Sequence, residues 1–218
     1  IEPKMAEAFI NGEDLHTKTA SFLFHKPLEE VTKEERQIGK SVNFSVSYGS
    51  TEYGLYKKLN IPLETAREIL DNYYKAYSTF KAFQDKVGRL TWEKGYSSTF
   101  LGRKRFFARQ PIYNSSSEFT KDQSSIMRGG VNHVIQGTSA DITKQAMVNI
   151  FYNNPFGDDL RIVLTVHDEI VCEVKTEIAE EARKFIHTQM IIAEDFYLAP
   201  HGIPALVEGG DILDHWSH

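Results

Sequence analysis

The strongest structural signal in the sequence is a long run of apolar residues at helical spacing between positions 63 and 90. Apolar side chains recur there every three or four residues, which places them on one face of a helix. The residues are Ala66, Ile69, Leu70, Tyr73, Tyr77, Phe80, Phe83, Val87 and Leu90. Gly95 follows and is expected to end this helix. Since 41% of the 218 residues are hydrophobic, the chain can bury a core of its own, and a mainly helical fold is predicted.

Other elements are predicted on both sides of this helix. Thr32 and Glu35 form a capping-box signature, so a helix is expected over 33–47. The remaining patterns predict short helices over 1–30, a loop over 96–118, helices over 120–149 and 177–196, two strands within 160–175, and strand character at 205–207. Helices followed by a mixed end with a small sheet predict the α+β class.

Charge is distributed unevenly along the chain. The net charge is −5, yet residues 33–128 carry 17 Lys/Arg against 10 Asp/Glu, whereas residues 129–218 carry 5 against 14. A basic middle suits a polyanionic ligand, and an acidic end suits a cation-binding site. The same distribution also fits ordinary solvated surface, so charge alone leaves both interpretations open.

Several protein classes are excluded by composition. The single cysteine, Cys172, cannot form a disulfide within the chain, which excludes a disulfide scaffold and fits a reducing compartment. No apolar run reaches about 18 residues, so no membrane-spanning helix and no membrane partner are expected. Because the chain starts at Ile1 rather than at Met, we expect it to be a piece of a longer protein.

Two cations and two aromatic residues lie four positions apart along the predicted helix 33–47 and the residue that follows it. These are Arg36, Lys40, Phe44 and Tyr48, and the spacing keeps them on one face over about 18 Å. Cationic groups pair with phosphate oxygens and aromatic rings stack on bases, so the stripe has the polarity of a nucleoside triphosphate. The same pattern fits an amphipathic helix with its aromatic residues in the core.

A second stripe is entirely polar. Arg128, Asn132 and Gln136 are again four residues apart and offer hydrogen-bond donors on one helix face. The minor groove presents acceptors at similar places in every base pair, so such a row can hold a duplex without reading its sequence. An ordinary solvated helix face is the alternative interpretation.

Three polar residues, His167, Asp168 and Glu169, separate the two predicted strands of 160–175. Carboxylates at a hairpin tip can bind a hard divalent cation through their oxygens. A plain β-turn explains the same residues. A metal-dependent hydrolase built on His167 and Asp168 is a further alternative, but it leaves the stripe of the helix 33–47 unexplained.

Together these motifs resemble DNA polymerase family A, the bacterial DNA polymerase I family. The run Arg36–Gly49 is similar to the family's O-helix, with Ser45 where Gly, Ala or Gln is usual. The run 128–141 resembles its Q-helix, and 166–169 resembles its motif C. Weaker similarities are found in Asp14-Leu15-His16, in the Thr99–Arg105 loop, and in the closing Trp216 and His218. The likeness covers nearly the whole chain.

The resemblance implies a set of site residues and ligands. His16, Arg36 and Lys40 are expected to bind the triphosphate, with Lys40 also acting as general acid, and Phe44 and Tyr48 are expected to contact the base and the sugar. DNA contacts are expected from Arg128, Asn132, Gln136 and His167. Asp168 is expected to bind metal, with Glu169 as a neighbouring catalytic acid. Two Mg²⁺ ions, primer-template DNA and dNTPs are the implied ligands. The implied location is the cytoplasm of a bacterial or phage-infected cell, with an organelle also open.

The resemblance also implies a mainly helical fingers subdomain over 1–125 and the C-terminal part of a palm, with a small antiparallel sheet, over 126–218. The family's motif A, which reads approximately Asp-Tyr-Ser-x-x-Glu and carries the other catalytic aspartate, does not occur in the 218 residues. A two-metal site needs ligands from both motifs, so we expect this chain to be inactive alone and its parent to polymerise DNA. The alternative is a non-catalytic DNA-binding remnant, or one piece of a split polymerase that needs a partner chain with motif A.

Overall fold

The computed structural model describes residues 2–216 and divides the chain into two compact units, 1–137 and 138–218. The elements are α1 (Pro3–Ile10), α2 (Leu15–Phe24), α3 (Lys33–Ser47), α4 (Glu52–Leu59), α5 (Leu63–Ala76), α6 (Ser78–Lys94), β1 (Tyr96–Ser98), β2 (Lys104–Phe106), α7 (Ser116–Asn153), β3 (Leu160–Val166), β4 (Glu169–Val174) and α8 (Ala179–Leu198). The described residues also form four single-turn 3₁₀ helices: Leu28–Glu30, Gly157–Asp159, Thr176–Ile178 and Ala199–His201. The predicted α+β class is confirmed.

The core of the first unit lies between α2, α3, α4 and α5. Its buried members are Leu23, Val42, Val46, Leu55, Ala66, Ile69, Tyr73 and Tyr77. At Gly39 the backbones of α2 and α3 come so close that a Cβ would lie 3.1 Å from the Cβ of Ala20 and inside 3.0 Å of the carbonyl oxygen of His16. The predicted capping box is present, since Thr32 and Glu35 bond reciprocally at the start of α3.

The prediction of one helix through 63–90 is wrong, because the chain breaks at Tyr77 between α5 and α6. Tyr77 has φ −118° and ψ 58° and is fully buried, with its hydroxyl 2.8 Å from Oγ1 of Thr19. The carboxylate of Glu2 accepts a hydrogen bond from the amide of Phe80 at 3.0 Å. The break is therefore stabilised from both sides, by a buried tyrosine and by a cap on α6. Gly95 ends α6 with φ 75°, as expected.

The predicted loop 96–118 contains a short hairpin. β1 and β2 pair antiparallel, with Ser97 opposite Arg105. The strands have three residues each, too few to show an alternating pattern in the sequence. The amide of Gly102, at φ 85°, donates to the carbonyl of Thr99 at 2.9 Å in the connecting turn.

The second unit contains the hairpin β3–β4 and the helix α8. The two strands pair antiparallel from Leu160 opposite Val174 to Val166 opposite Glu169, with an irregularity between Ile162 and Leu164. Ile150, Leu160 and Ala182 form its buried core. The prediction of strand, tight turn and strand within 160–175 is confirmed.

The expected strand at 205–207 is wrong, because side chains of α8 take the place of a strand partner. The amide of Leu206 donates to the carboxylate of Glu194 at 3.0 Å, and Nε2 of His187 lies 3.0 Å from the carbonyl oxygen of Val207. Burial raises the pKa of Glu194. Across residues 2–216, no helix is both long and apolar enough to cross a membrane.

Candidate functional site

The stripe of α3 lies on an exposed face of the first unit. Phe44 is 43% exposed and Tyr48 is 40% exposed, whereas Val42 and Val46 on the other face are fully buried. An amphipathic helix with these aromatic residues in the core is therefore the wrong interpretation. The two rings are tilted against each other, with centroids 6.4 Å apart. They form an exposed aromatic surface at the C-terminal end of the helix.

Arg36, at the other end of the stripe, is held by Asp14. Its Nε and NH2 donate to the two carboxylate oxygens of Asp14 at 3.0 and 2.7 Å, the bidentate geometry that suits a guanidinium group. The same carboxylate caps α2 by accepting from the amide of Thr17 at 2.7 Å. The Arg36 hydrogen bond holds the pKa of Asp14 well below its usual range. Asp14 therefore joins the start of α2 to α3, beside the residues that are predicted to bind the triphosphate.

His16 is the second residue of α2 and lies next to the stripe. Its ring centroid is 5.8 Å from that of Phe44, and its Nδ1 is 3.1 Å from Nδ2 of Asn43. Burial is the main cause that lowers the pKa of His16, with the charges of Arg36 and Lys40 acting in the same direction and Asp14 acting against them. Since the pKa falls below its usual 6.5, the imidazole is neutral at neutral pH.

The second stripe belongs to α7, and one of its members reaches the end of α3. Gly49 has φ 80°, and a Cβ there would lie 3.2 Å from Cγ of Arg128, so the arginine stem packs on the glycine backbone beside Tyr48. The structure thus brings the two stripes together at Arg128. Gln136 is exposed and Asn132 is half-buried.

The position of α7 depends on glycine contacts with α6 and the β1–β2 hairpin. A Cβ at Gly129 would meet the ring of Phe107 at 2.9 Å, and one at Gly130 would fall inside 3.0 Å of Thr91. Only glycine permits such close approach, so these residues fix which face of α7 is presented. The side chains of Ser116, Ser117, Thr120, Lys121, Ser124 and Arg128 line an open groove of about 510 Å³ along it.

The loop Thr99–Arg105 is tied to α7 as well. NH2 of Arg103 donates to the carbonyl oxygen of Gly137 at 2.8 Å, and Oγ of Ser97 lies 2.8 Å from Nδ1 of His133. Lys104 and Arg105 remain exposed on β2. The hairpin therefore adds positive charge within the same unit as the two stripes.

In the second unit, His167 and Asp168 form the two-residue turn between β3 and β4. His167 has φ 53°, a left-handed conformation that is uncommon outside glycine. Oε1 of Glu169 accepts a hydrogen bond from Nε1 of Trp216 at 3.1 Å. The predicted motif C residues are thus grouped at one exposed hairpin tip, next to the C-terminal tail. His218 lies outside the described residues.

The residues present do not by themselves fit a divalent-metal site. Within residues 2–216, no three His, Cys, Asp or Glu side chains are grouped so that they could hold an ion. Asp168 supplies one carboxylate, and Glu169 is bonded to Trp216. Mg²⁺ takes six oxygen ligands, of which one or two are usually protein carboxylates and the rest are waters and substrate phosphates. The assignment of Asp168 as a metal ligand therefore stays a prediction that needs further carboxylates.

Comparison with known proteins identifies the family. The model for DNA polymerase family A matches residues 1–210. DNA polymerase I of Aquifex aeolicus is 37% identical over an alignment of 225 residues, and this alignment covers 99% of this chain and 36% of that protein. DNA polymerase I of Geobacillus stearothermophilus is 33% identical over 186 residues, covering 85% of this chain and 21% of that protein.

A solved structure agrees with these matches. The POL domain of Pol1 from M. smegmatis, in complex with DNA primer-template and dNTP, superposes with a TM-score of 0.75 at 34% identity, covering 86% of this chain and 32% of that chain. This chain therefore spans only a fifth to about a third of the curated relatives. The resemblance seen in the motifs is confirmed, and the chain belongs to DNA polymerase family A.

Proposed function

We propose that this chain is the nucleotide- and DNA-binding part of a DNA-directed DNA polymerase, which transfers a nucleotide from a dNTP to the 3′-hydroxyl of a primer. The main support is the stripe of α3, which begins with two cations and ends in two exposed aromatic rings beside Arg128. The M. smegmatis relative was solved with DNA primer-template and dNTP, which supports these ligands here. A cytoplasmic location stays a prediction.

The cationic end of the stripe is proposed to bind the triphosphate. Arg36 and Lys40 offer charge-assisted donors, and His16 offers a neutral one, so three kinds of donor meet the phosphate oxygens. Lys40 is exposed, and its ammonium carries a proton that it can give to the pyrophosphate oxygen as the bond to the α-phosphorus breaks.

The aromatic end is proposed to cover the base and the sugar. Phe44 and Tyr48 present ring faces to solvent, and stacking on such faces is tolerant of base identity. A template-copying enzyme needs this tolerance, because the template selects the base. Phe44 has no hydroxyl, so it cannot replace the 3′-hydroxyl that a dideoxynucleotide lacks.

The duplex is proposed to lie along α7. Arg128, Asn132 and Gln136 provide donors at four-residue steps, which suits the acceptors common to all base pairs in the minor groove. The fingers subdomain over 1–125 and the palm over 126–218 also remain a proposal, and their boundary falls inside the continuous helix α7 (Ser116–Asn153).

The hairpin tip is proposed to meet the primer terminus. His167 would lie at the primer end, and Asp168, with Glu169 beside it, would contribute a carboxylate to a cation that neutralises the leaving pyrophosphate. Because Asp168 alone leaves most of the coordination positions of such an ion to other ligands, we propose that motif A, which is not among these 218 residues, supplies a further carboxylate. The isolated chain is therefore expected to bind DNA and dNTP without extending a primer.

Fluorescence anisotropy with a labelled primer-template, together with a Mg²⁺-dependent primer-extension assay, tests this proposal. We expect salt-sensitive DNA binding that weakens in Arg128→Ala, where one lost phosphate or base contact costs about 1–3 kcal/mol. Arg67→Ala is the matched control, since Arg67 is an exposed arginine on α5. No DNA binding, or equal losses in the two variants, would contradict the proposed interface.

Primer extension separates the remaining alternatives. Extension by the purified chain alone would refute the need for further carboxylates. No extension alone, but extension after addition of a polypeptide bearing motif A, would identify a split polymerase. DNA binding without any nucleotide binding would favour the non-catalytic remnant.

A further inference from the structure

A chain of polar side chains leads from the core of the first unit to His16. The hydroxyl of Tyr77 lies 2.8 Å from Oγ1 of Thr19, which donates to Oδ1 of Asn43 at 3.1 Å. Nδ2 of Asn43 is 3.1 Å from Nδ1 of His16. Thr19 and Tyr77 are completely buried and Asn43 is 6% exposed. A buried polar group without a hydrogen-bond partner destabilises the fold, so the proton positions along this row of hydrogen bonds are linked.

The amide of Asn43 sets the direction of these hydrogen bonds. Its oxygen accepts from Thr19, which leaves its NH₂ group to donate toward His16. A donor opposite Nδ1 requires a lone pair on that nitrogen, so the neutral imidazole carries its proton on Nε2. The hydroxyl hydrogen of Thr19 has two acceptors, the carbonyl oxygen of Leu15 at 2.9 Å and Oδ1 of Asn43 at 3.1 Å. The tautomer therefore follows from Nδ2 of Asn43, which faces Nδ1 of His16 and can only donate.

We propose that Asn43 is a positioning residue that holds His16 as the Nε2–H tautomer, so that a neutral imidazole can donate a hydrogen bond to a nucleotide phosphate. This inference rests on the proposed dNTP-binding function and adds a residue to it. The opposite tautomer would present an Nε2 lone pair, which repels a phosphate oxygen. The choice of tautomer therefore decides whether His16 attracts or repels the triphosphate.

The surroundings of His16 make the tautomer matter at neutral pH. The groups that act on it are Asp14, which favours the charged imidazolium, and Arg36 and Lys40, which disfavour it. The ring of Phe44 covers one side with a centroid distance of 5.8 Å. Burial, helped by the charges of Arg36 and Lys40, lowers the pKa of His16 against the opposing charge of Asp14, and a neutral imidazole has only one N–H to offer.

The first test is nuclear magnetic resonance on the full ¹⁵N-labelled chain without nucleotide, in which long-range ¹H–¹⁵N correlations report the His16 tautomer near pH 8. The wild-type chain is expected to show Nε2–H. In Asn43→Asp a carboxylate replaces the amide donor, so His16 is expected to become Nδ1–H and its pKa to rise. Nδ1–H in the wild type would overturn the inference, and that measurement holds even if the variant fails to fold.

The second test measures dATP affinity of both chains by calorimetry at pH 8 and pH 6. At pH 8 the variant is expected to bind about tenfold more weakly, which corresponds to one lost hydrogen bond to a charged group. On acidification His16 of the variant, whose pKa is expected to be raised, gains its second proton, and both of its nitrogens become donors. The difference in dATP affinity between the variant and the wild type should therefore shrink at pH 6. Ser41→Asp adds the same charge to α3 and controls for simple repulsion of dATP. Its loss of dATP affinity should not depend on His16 and should be the same at pH 8 and pH 6.

The two tests keep the inference and the proposed function apart. An Nε2–H tautomer in a wild-type chain that binds no dATP would overturn the phosphate role and the proposed nucleotide site together. An Nδ1–H tautomer in a chain that does bind dATP would overturn the role of Asn43 alone. A deficit of Asn43→Asp that is the same at both pH values would also count against the tautomer.

Discussion

Replacing Gly39 by alanine is expected to destabilise the first unit, although alanine is the better helix former. A Cβ at this position would fall inside 3.0 Å of the carbonyl oxygen of His16 and 3.1 Å from the backbone nitrogen of Ala20, whereas ordinary contact begins at 3.4 Å. The atoms it meets are mainly backbone, which cannot rotate away. The helices α2 and α3 would therefore have to separate.

The magnitude follows from two opposing effects. Glycine to alanine in a helix interior favours folding by about 1 kcal/mol. Overpacking typically costs about 1–3 kcal/mol, and a backbone clash belongs at the upper end. The net expectation is a loss of about 1–2 kcal/mol. Gly54→Ala is the matched control, because a Cβ there meets only Ser50 at 3.4 Å, so stability should stay equal or rise slightly.

Urea unfolding followed by circular dichroism measures the stability of both variants, and calorimetry measures dATP binding under native conditions. Because α2 carries His16, an outward shift of α2 should weaken dATP binding in Gly39→Ala more than in Gly54→Ala, since small displacements of positioned groups are costly. If Gly39→Ala proves as stable as Gly54→Ala and binds dATP as tightly as the wild type, the close helix contact is not what positions His16.

Three further perturbations have expected outcomes. Phe44→Tyr in a polymerising parent should raise dideoxynucleotide incorporation roughly tenfold, the value of about one hydrogen bond, and an unchanged ratio in a gel assay would contradict the proposed sugar contact. Asp14→Asn keeps the helix cap but removes the ion pair with Arg36. Both partners are partly exposed, so at pH 7 the free energy of unfolding should fall by at most about 1 kcal/mol. Because the folded-state pKa of Asp14 is depressed, the urea midpoints of variant and wild type should converge as the pH falls below about 4. Glu194 has its pKa raised by burial, so its contribution is fully present below its unfolded-state pKa and is lost as pH rises through the folded-state pKa; Glu194→Gln, which can still accept from Leu206, should remove this dependence, and an identical pH profile would refute the assignment.

Much of the fold could be predicted because its elements have local signals. The capping box of Thr32 and Glu35 marks the start of α3, Gly95 marks the end of α6, and alternating apolar residues mark β3 and β4. The errors share a different cause. The break at Tyr77 depends on Thr19, 58 residues away in the chain, and no local pattern reports such a partner.

The candidate site shows the same division. The four-residue spacing identified which side chains share a face, since that depends only on helix geometry. It could not identify the partners that hold those side chains. Arg36 meets Asp14 across 22 positions, and Glu169 meets Trp216 across 47. Only the family resemblance brought Asp14 and Trp216 to notice, and it assigned neither of them a partner.

These long-range partners explain why the break between α5 and α6 matters for the site. A continuous helix through Tyr77 would carry its side chain past the core, and Thr19 would lose the hydroxyl that lies 2.8 Å away. Thr19 would then keep Leu15 and Asn43 as partners, and the buried hydrogen bonds that lead to His16 would lose their anchor in the core. The irregularity in the longest apolar stretch is thus the feature that connects the packing of the first unit to the chemistry of its exposed face.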